Sequence, residues 1–110
     1  MGERPAADRM IIAELTGEAK HHAGWTEPDE ATTQAAVAAL REIAGGRTDL
    51  LAEVAGIFLG TSEGELHEPR ARHAAGFCCA AGADPDLIPQ WVEEGRRRAA
   101  RARKRPHGMV

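Results

Sequence analysis

The sequence predicts an all-α fold, a compact bundle of four to five short helices with a basic C-terminal extension. The densest apolar run, residues 49–59 (DLLAEVAGIFL), repeats at helical spacing. Pro residues preceded by Glu or Asp open three other segments, and glycines close them. The one alternative strand, residues 10–16, would have no partner strand elsewhere. With 110 residues, the chain is one domain at most.

The N-terminal residues 1–9 are polar and contain Pro5, which predicts a flexible leader before a single helical domain over residues 10–95. The first helix is predicted over residues 8–22, since Ile11, Leu15 and Ala19 recur at helical spacing. After Gly24, Trp25 is expected to pack on the core as a hydrophobic staple for the next helix.

The second helix is expected to start with Thr26 as its N-cap and to end at Ala44, because Gly45-Gly46 follows. Its inner face consists of Ala36, Leu40, Ile43 and Ala44. A short connection then leads to the central helix, so the two helices are expected to form an antiparallel hairpin.

The central helix is expected to bury the stripe Leu50, Leu51, Val54, Ile57 and Phe58. Its flanks are also apolar, so contacts on more than one side are expected. Thr48 or Asp49 would cap its first turn, and Gly60 would be the left-handed residue that ends it.

The last two helices are predicted on either side of Gly82. The first runs from His67-Glu68-Pro69 to about Ala81, with an inner face of Ala71, Ala74, Ala75, Phe77 and Cys78. The next has an N-cap at Asp84 and a kink or restart at Pro89, which lacks a backbone N–H. Its anchors are Leu87, Ile88, Trp91 and Val92.

Charge is divided unevenly along the chain. Residues 96–110 hold seven of the 14 basic residues and none of the 17 acidic ones, so residues 1–95 carry a net charge near −10. No apolar stretch is long enough to span a membrane, and residues 1–9 lack the apolar region of a signal peptide. The sequence therefore predicts a soluble, cytoplasmic protein. The adjacent Cys78 and Cys79 are expected to be free thiols.

The segment 74–96 (AAGFCCAAGADPDLIPQWVEEGR) places a glycine turn between two helices, with Ile88 and Trp91 six and nine positions after Gly82. It resembles the helix-turn-helix of small excisionase-like and MerR-like DNA-binding proteins. This resemblance implies that Ile88 and Trp91 lock a recognition helix. The surface that would read DNA departs from the pattern, because it is acidic or polar at Asp84, Asp86, Gln90, Glu93 and Glu94.

The basic tail is the candidate site for a polyanion such as nucleic acid, with an affinity that falls as salt rises. Its cations are Arg96, Arg97, Arg98, Arg101, Arg103, Lys104 and Arg105. The tail has no aromatic residue for base stacking and no large apolar residue for lipid. The segment has helix-forming residues but no apolar stripe, so it is expected to be a fraying helical extension that ends at Pro106. A solvated tail, or one folded back on the acidic body, explains the same composition.

The sequence gives weaker evidence for a metal site or a catalytic nucleophile than for a polyanion site. The candidate ligands are His21, His22, His67, His73, Cys78 and Cys79, without CxxC or HxxxH spacing. No catalytic motif is present, so the sequence predicts neither an enzyme nor a cofactor, and no small-molecule substrate is evident.

Residues 39–56 and 68–99 resemble segments of small uncharacterised all-helical proteins of high-GC actinobacteria, which implies a bacterial protein and assigns no functional residue. The leading hypothesis is a non-enzymatic interaction or regulatory protein that binds a protein partner or forms a homodimer. Trp25 and Trp91 are the candidate partner surface, and the tail adds electrostatic attraction. The alternatives are a helix-turn-helix DNA-binding regulator and a metal- or thiol-dependent protein using the two cysteines.

Overall fold

A computed structural model describes residues 4–63 and 69–104 of the chain. These residues form five α-helices and no β-strand, which confirms the all-α bundle predicted from the sequence. The helices are α1 (Ala6–His22), α2 (Glu30–Ala44), α3 (Thr48–Ser62), α4 (Pro69–Ala80) and α5 (Ile88–Lys104). Within this part of the chain, none of them is both long and apolar enough to cross a bilayer.

The central helix α3 is surrounded by the other elements. It packs most extensively on α5 and α4, and also contacts α1. Every residue from Leu50 to Gly56 is buried, whereas Ile57 and Phe58, expected on the main stripe, are only partly buried. The expectation of contacts on more than one side is therefore correct. The core is rich in alanine, which allows helix axes to approach closely.

Glycines form the contact between α3 and α5. Gly56 lies against Ile88 and Val92, and Gly60 lies against Val92 and Arg96, so the two helices run in the same direction. A Cβ atom on Gly60 would clash with the Val92 carbonyl oxygen and lie 2.7 Å from the Arg96 nitrogen. Gly60 is therefore a helix-packing residue inside α3, and its predicted role as the left-handed terminator is wrong.

Two helix starts differ from the prediction. The N-cap of α2 is Asp29, which accepts a 2.8 Å hydrogen bond from the Thr32 backbone N–H, so Thr26 lies outside the helix. The N-cap of α3 is Arg47, without a side-chain capping bond, and the expected Asp49 cap instead accepts hydrogen bonds from the Arg47 guanidinium. Gly45 has a φ of 55°, as predicted for the end of α2.

The expected antiparallel hairpin of α2 and α3 is not a major packing contact of the bundle. Their connection is short, residues 45–47, but α2 packs mainly on α1 and contacts α3 little. The physical reason is that α3 is already covered by α5 and α4, whose small residues allow closer packing.

The link from α4 to α5 follows the predicted pattern. Gly82 has a φ of 116°, and Asp84 accepts a backbone hydrogen bond from Leu87 N–H, closing one turn before α5 begins at Ile88. Pro89 therefore lies in the first turn of α5, where its missing N–H costs little. The predicted α4 start at His67 and Glu68 lies outside the described residues.

The ends of the helical region also differ from the predicted boundaries. Residues 6–9, assigned to the leader, belong to α1, and Arg4 is fixed by an ion pair to Glu53. At the other end, α5 passes through Gly95 without interruption and continues to Lys104. The expected helical extension beyond Gly95 is thus present and continues α5 as far as Lys104, and only the boundary drawn between domain and tail differs.

Candidate interaction surfaces

Trp25 lies on the surface, in the connection between α1 and α2. Its side chain is 65% exposed, so the prediction that it packs on the core as a staple is wrong. The staple geometry requires the aromatic residue to lie next to the N-cap, and the cap is Asp29 and not Thr26. The exposed indole agrees with the candidate partner surface assigned to Trp25.

Polar side chains of α4 hold the backbone beside Trp25. Arg70 donates through Nε to the Ala23 carbonyl oxygen at 3.3 Å. His73 donates through Nδ1 to the Gly24 carbonyl oxygen at 2.8 Å, which fixes the proton on that ring nitrogen. Because the connection is tied to α4 at Ala23 and Gly24 and ends in the Asp29 cap, Trp25 is presented outward on a braced loop.

Three exposed carboxylates follow Trp25 along the chain, and Arg72 of α4 lines the cleft beside one of them, Glu27. Glu27, Asp29 and Glu30 are exposed, and no Lys or Arg occurs between residues 21 and 40. Hydrogen bonds from Thr32 hold the pKa of Asp29 below its usual value, so this carboxylate stays charged well into the acidic range. We refer to Trp25, Glu27, Asp29 and Glu30 as the Trp25 surface.

A shallow cleft adjoins the Trp25 surface. Its volume is about 270 Å³, and its apolar floor includes Phe77 and Pro28. His73 lines one side, with Nε2 3.9 Å from a Glu27 carboxylate oxygen. The cleft can accept part of an apolar side chain from another molecule beside the exposed indole.

Trp91, the second aromatic residue assigned to a partner surface, is partly buried on α5. Its Cβ lies directly over Gly56 of α3, and the backbone of Ile88 lies beside it. Ile88 and Trp91 therefore anchor α5 to α3. Among the described residues, α4 and α5 make no close backbone contact with each other.

The cations of α5 divide into two groups. Arg96 makes a bidentate pair with Glu63, at 2.7 and 3.1 Å, and Arg97 and Arg98 both donate to Glu94. Hydrogen bonds from Arg98 and Arg97 lower the pKa of Glu94 to about 2. The first turn of the predicted polyanion site is thus neutralised by neighbouring carboxylates.

The second group lies toward the C-terminal end of α5. The Arg101 side chain is 65% exposed, and its nearest carboxylate oxygen, on Glu94, is 3.6 Å away. Arg103 is also exposed, Ala102 lies between these two cations, and Ala99 and Ala100 precede Arg101. Lys104 ends the helix, and Arg105 lies outside the described residues.

An ion pair between α3 and the segment before α1 escaped the sequence-based prediction. Of the charged residues in ranges 4–63 and 69–103, only Glu53 is buried, and its carboxylate pairs at 2.9 Å with Arg4, whose side chain is 33% exposed. Burial raises the pKa of Glu53, while the Arg4 hydrogen bond opposes the increase. Arg4 Nη1 is buried and has no hydrogen-bond partner among the described residues. The sequence signal was a single carboxylate inside the densest apolar run.

The cysteines and histidines do not form one centre. Cys78 is buried and Cys79 is exposed, and burial raises the pKa of Cys78 to about 12 and that of Cys79 in the same direction. Few thiolates exist at neutral pH under these conditions. His22 pairs with Glu18, whereas His73 binds the Gly24 carbonyl oxygen. Within the described part of the chain, no three His, Cys, Asp or Glu side chains converge as metal ligands. The candidate ligand His67 lies outside it.

Comparisons with protein families, with curated proteins and with solved structures give no match to this chain. Its surface chemistry is therefore the basis for assigning a function.

Proposed function

We propose that this chain is a non-enzymatic helical interaction module that binds a partner protein, or another copy of itself, through the Trp25 surface. The observation that carries the proposal is the 65% exposed Trp25 on a loop braced by Arg70 and His73. Tryptophan is among the residues that contribute most to protein interfaces when it is desolvated. A braced loop also loses little conformational entropy when it binds.

The C-terminal part of α5 adds electrostatic attraction in this proposal. Arg101 and Arg103 are exposed and increase the rate of encounter with an acidic surface. The proposal sets the module in the bacterial cytoplasm, where free thiols such as Cys78 and Cys79 persist.

The proposal is tested by affinity capture from a lysate of the organism that encodes the chain. The wild type is compared with Trp25→Ala and with Met10→Ala, a matched control because Met10 is 67% exposed but lies on α1, away from the loop. Each bound protein is then purified, and its affinity for the three variants is measured by calorimetry.

The expected result is a partner that binds the wild type and Met10→Ala equally and binds Trp25→Ala at least tenfold more weakly. This loss corresponds to about 1.4 kcal/mol or more, the usual range for an interface tryptophan. Equal binding by all three variants contradicts the proposal.

Nucleic-acid binding by a helix-turn-helix regulator is the second candidate. The exposed Arg101 and Arg103 favour it, whereas the pairing of Arg96 and Arg98 with carboxylates leaves fewer cations for phosphates. A gel-shift titration at two salt concentrations separates the candidates, because sequence-preferring binding that survives Arg101→Glu/Arg103→Glu supports a helix-turn-helix. The raised pKa values of Cys78 and Cys79 make thiol chemistry the least supported candidate.

A further inference from the structure

We propose that the Trp25 surface binds the C-terminal part of α5 from a second copy of this chain. This inference rests on the proposed function and names the occupant of the site. The exposed charges of the two surfaces are opposite: Glu27, Asp29 and Glu30 follow Trp25 along the chain, whereas Arg101 and Arg103 lie near the end of α5 on either side of Ala102.

Side chains of the two surfaces can form stacking contacts and hydrogen bonds with each other. An arginine guanidinium stacks on the face of an indole, an arrangement that contributes to binding when the pair is desolvated. The small side chains of Ala100 and Ala102 on either side of Arg101 allow the indole of Trp25 to approach the backbone of α5. Arg101 and Arg103 are two positions apart and project from different sides of the helix, so Glu27, whose side chain is 91% exposed, and Glu30 can accept charge-assisted hydrogen bonds from the arginine that faces them.

The two surfaces do not satisfy each other within one chain. Among the described residues, α5 packs on α3 and makes no close backbone contact with α1, α2 or α4. The loop that carries Trp25 joins α1 to α2 and is tied to α4 by Arg70 and His73. The exposed cations of α5 therefore remain available to a second molecule.

The proposed contact joins two different surfaces, the Trp25 surface of one copy and the C-terminal part of α5 of the other. It is therefore heterologous. Two such contacts related by a twofold axis give a closed dimer, and single contacts in series give a ring or a filament. In either case the association depends on ionic strength, since exposed charges are screened above about 0.1 M salt.

The test is a complementation experiment by sedimentation velocity over a range of protein concentrations, at low and at high salt. One variant, Trp25→Ala, keeps the α5 surface. The other, Arg101→Glu/Arg103→Glu, keeps the Trp25 surface. Met10→Ala serves as the control, and circular dichroism checks that each variant is folded. All samples are treated with nuclease before the measurement.

The inference predicts that the wild type and Met10→Ala self-associate at low salt and dissociate at high salt. Each of the other variants alone is monomeric or at least tenfold weaker in association, and an equimolar mixture of the two forms a heterodimer. A wild type that is monomeric throughout overturns the inference. Association that is unchanged in Arg101→Glu/Arg103→Glu also overturns it.

These outcomes are distinct from the test of the proposed function. If the wild type is monomeric but a different captured protein loses affinity for Trp25→Ala, the Trp25 surface binds a partner and only the identity of the occupant is wrong. If Trp25→Ala self-associates like the wild type and no captured protein distinguishes it from Met10→Ala, both proposals fail.

Discussion

Glu53 has an unusual environment for a carboxylate, because it lies within the most apolar helix and its charge is matched by Arg4 from the segment before α1. Taking both ions out of water costs free energy that their attraction only partly offsets. Removing one of them leaves the other without compensation. The main effect of the pair is therefore to fix the N-terminal segment to α3. Its net contribution to the free energy of unfolding is small.

We predict that Arg4→Ala lowers the free energy of unfolding by about 1–3 kcal/mol at pH 7, because the buried carboxylate of Glu53 loses its donor. In the Glu53→Gln background the same substitution should cost much less. Urea unfolding of the four proteins of this double-mutant cycle measures the coupling. An equal loss in both backgrounds would show that the ion pair is not what holds Arg4.

The buried carboxyl also predicts a dependence on pH. Burial raises the pKa of Glu53 in the folded state, so folding favours the protonated form. Its contribution to stability is therefore full below the unfolded pKa of about 4.3 and is lost as the pH rises through the folded pKa. The difference in unfolding free energy between Glu53→Gln and the wild type should grow in this interval in favour of the variant. A difference that stays constant with pH contradicts the assignment.

The two adjacent cysteines should react very differently. Cys79 is exposed and Cys78 is buried, and the pKa of Cys78 is raised to about 12. We predict that iodoacetamide slowly alkylates one thiol of the folded protein at pH 8, and that Cys79→Ser abolishes this reaction. Mass spectrometry counts the labels. Rapid modification of Cys78 in the folded protein would indicate an activated thiol and would revive thiol chemistry as a function.

At the scale of elements, α3 and α5 pack closely because the residues at their contact include glycines, which have no side chains. A methyl group on Gly60 would meet backbone atoms of Val92 and Arg96, which cannot move without shifting α5. We predict that Gly60→Ala lowers the unfolding free energy by about 1–3 kcal/mol. Gly17→Ala is the control, because no neighbouring atom lies within 4 Å of its added methyl group. It should stabilise α1 by about 0.5–1 kcal/mol.

Chemical denaturation of both variants measures these effects. If Gly60→Ala were as stable as Gly17→Ala, the two helices would not be in close contact and the parallel α3–α5 pairing would be wrong.

The C-terminal half of α5 should be sensitive to acid. Because Arg98 and Arg97 lower the pKa of Glu94 to about 2, the stabilising effect of this carboxylate is present above the unfolded pKa of about 4.3. It is lost as the pH falls toward 2. Helical content measured by circular dichroism should therefore decrease over this range more in the wild type than in Glu94→Gln. Identical acid titrations would show that the observed ion pairs do not support the helix.

The sequence predicted the existence of the helices better than the way they pack. The stripe of α3 and the glycine after α2 followed from local rules, and the restart before Pro89 did too. The choice of partner helix did not follow, because Gly60 and Gly95 resemble helix terminators when each is considered in its own segment. The packing role of Gly60 becomes clear only when Gly56 and Gly60, spaced i and i+4, are seen to lie on the same face of α3. Gly95 is the glycine of α5 that lies against this face.

The candidate surface was predictable only in part. Trp25 was predicted to belong to a partner surface, and its exposure is compatible with that proposal, but its assignment as a staple depended on Thr26 as the N-cap. Because the N-cap is Asp29, three residues after Thr26, Trp25 is not next to it. The indole therefore lies on the surface and not in the core as predicted. The bracing by Arg70 and His73 links residues separated by 47 and 49 positions, which no local pattern reveals.

At the scale of the whole molecule, the residues that stabilise the fold differ from those proposed for recognition. The fold depends on a core of alanines and a few larger apolar side chains around α3. The exposed tryptophan contributes little to that core and is held outward by α4. In the proposed self-association, the loop that carries Trp25 and the basic end of α5 are the two contacting surfaces.

The most direct test of this separation is the unfolding free energy of Trp25→Ala, measured by urea denaturation followed by circular dichroism at concentrations where the chain is monomeric. We predict a change within about 0.5 kcal/mol of the wild type, as for a surface substitution. A loss of about 3–5 kcal/mol, as for a buried tryptophan, would show that Trp25 belongs to the core and would contradict its role in binding.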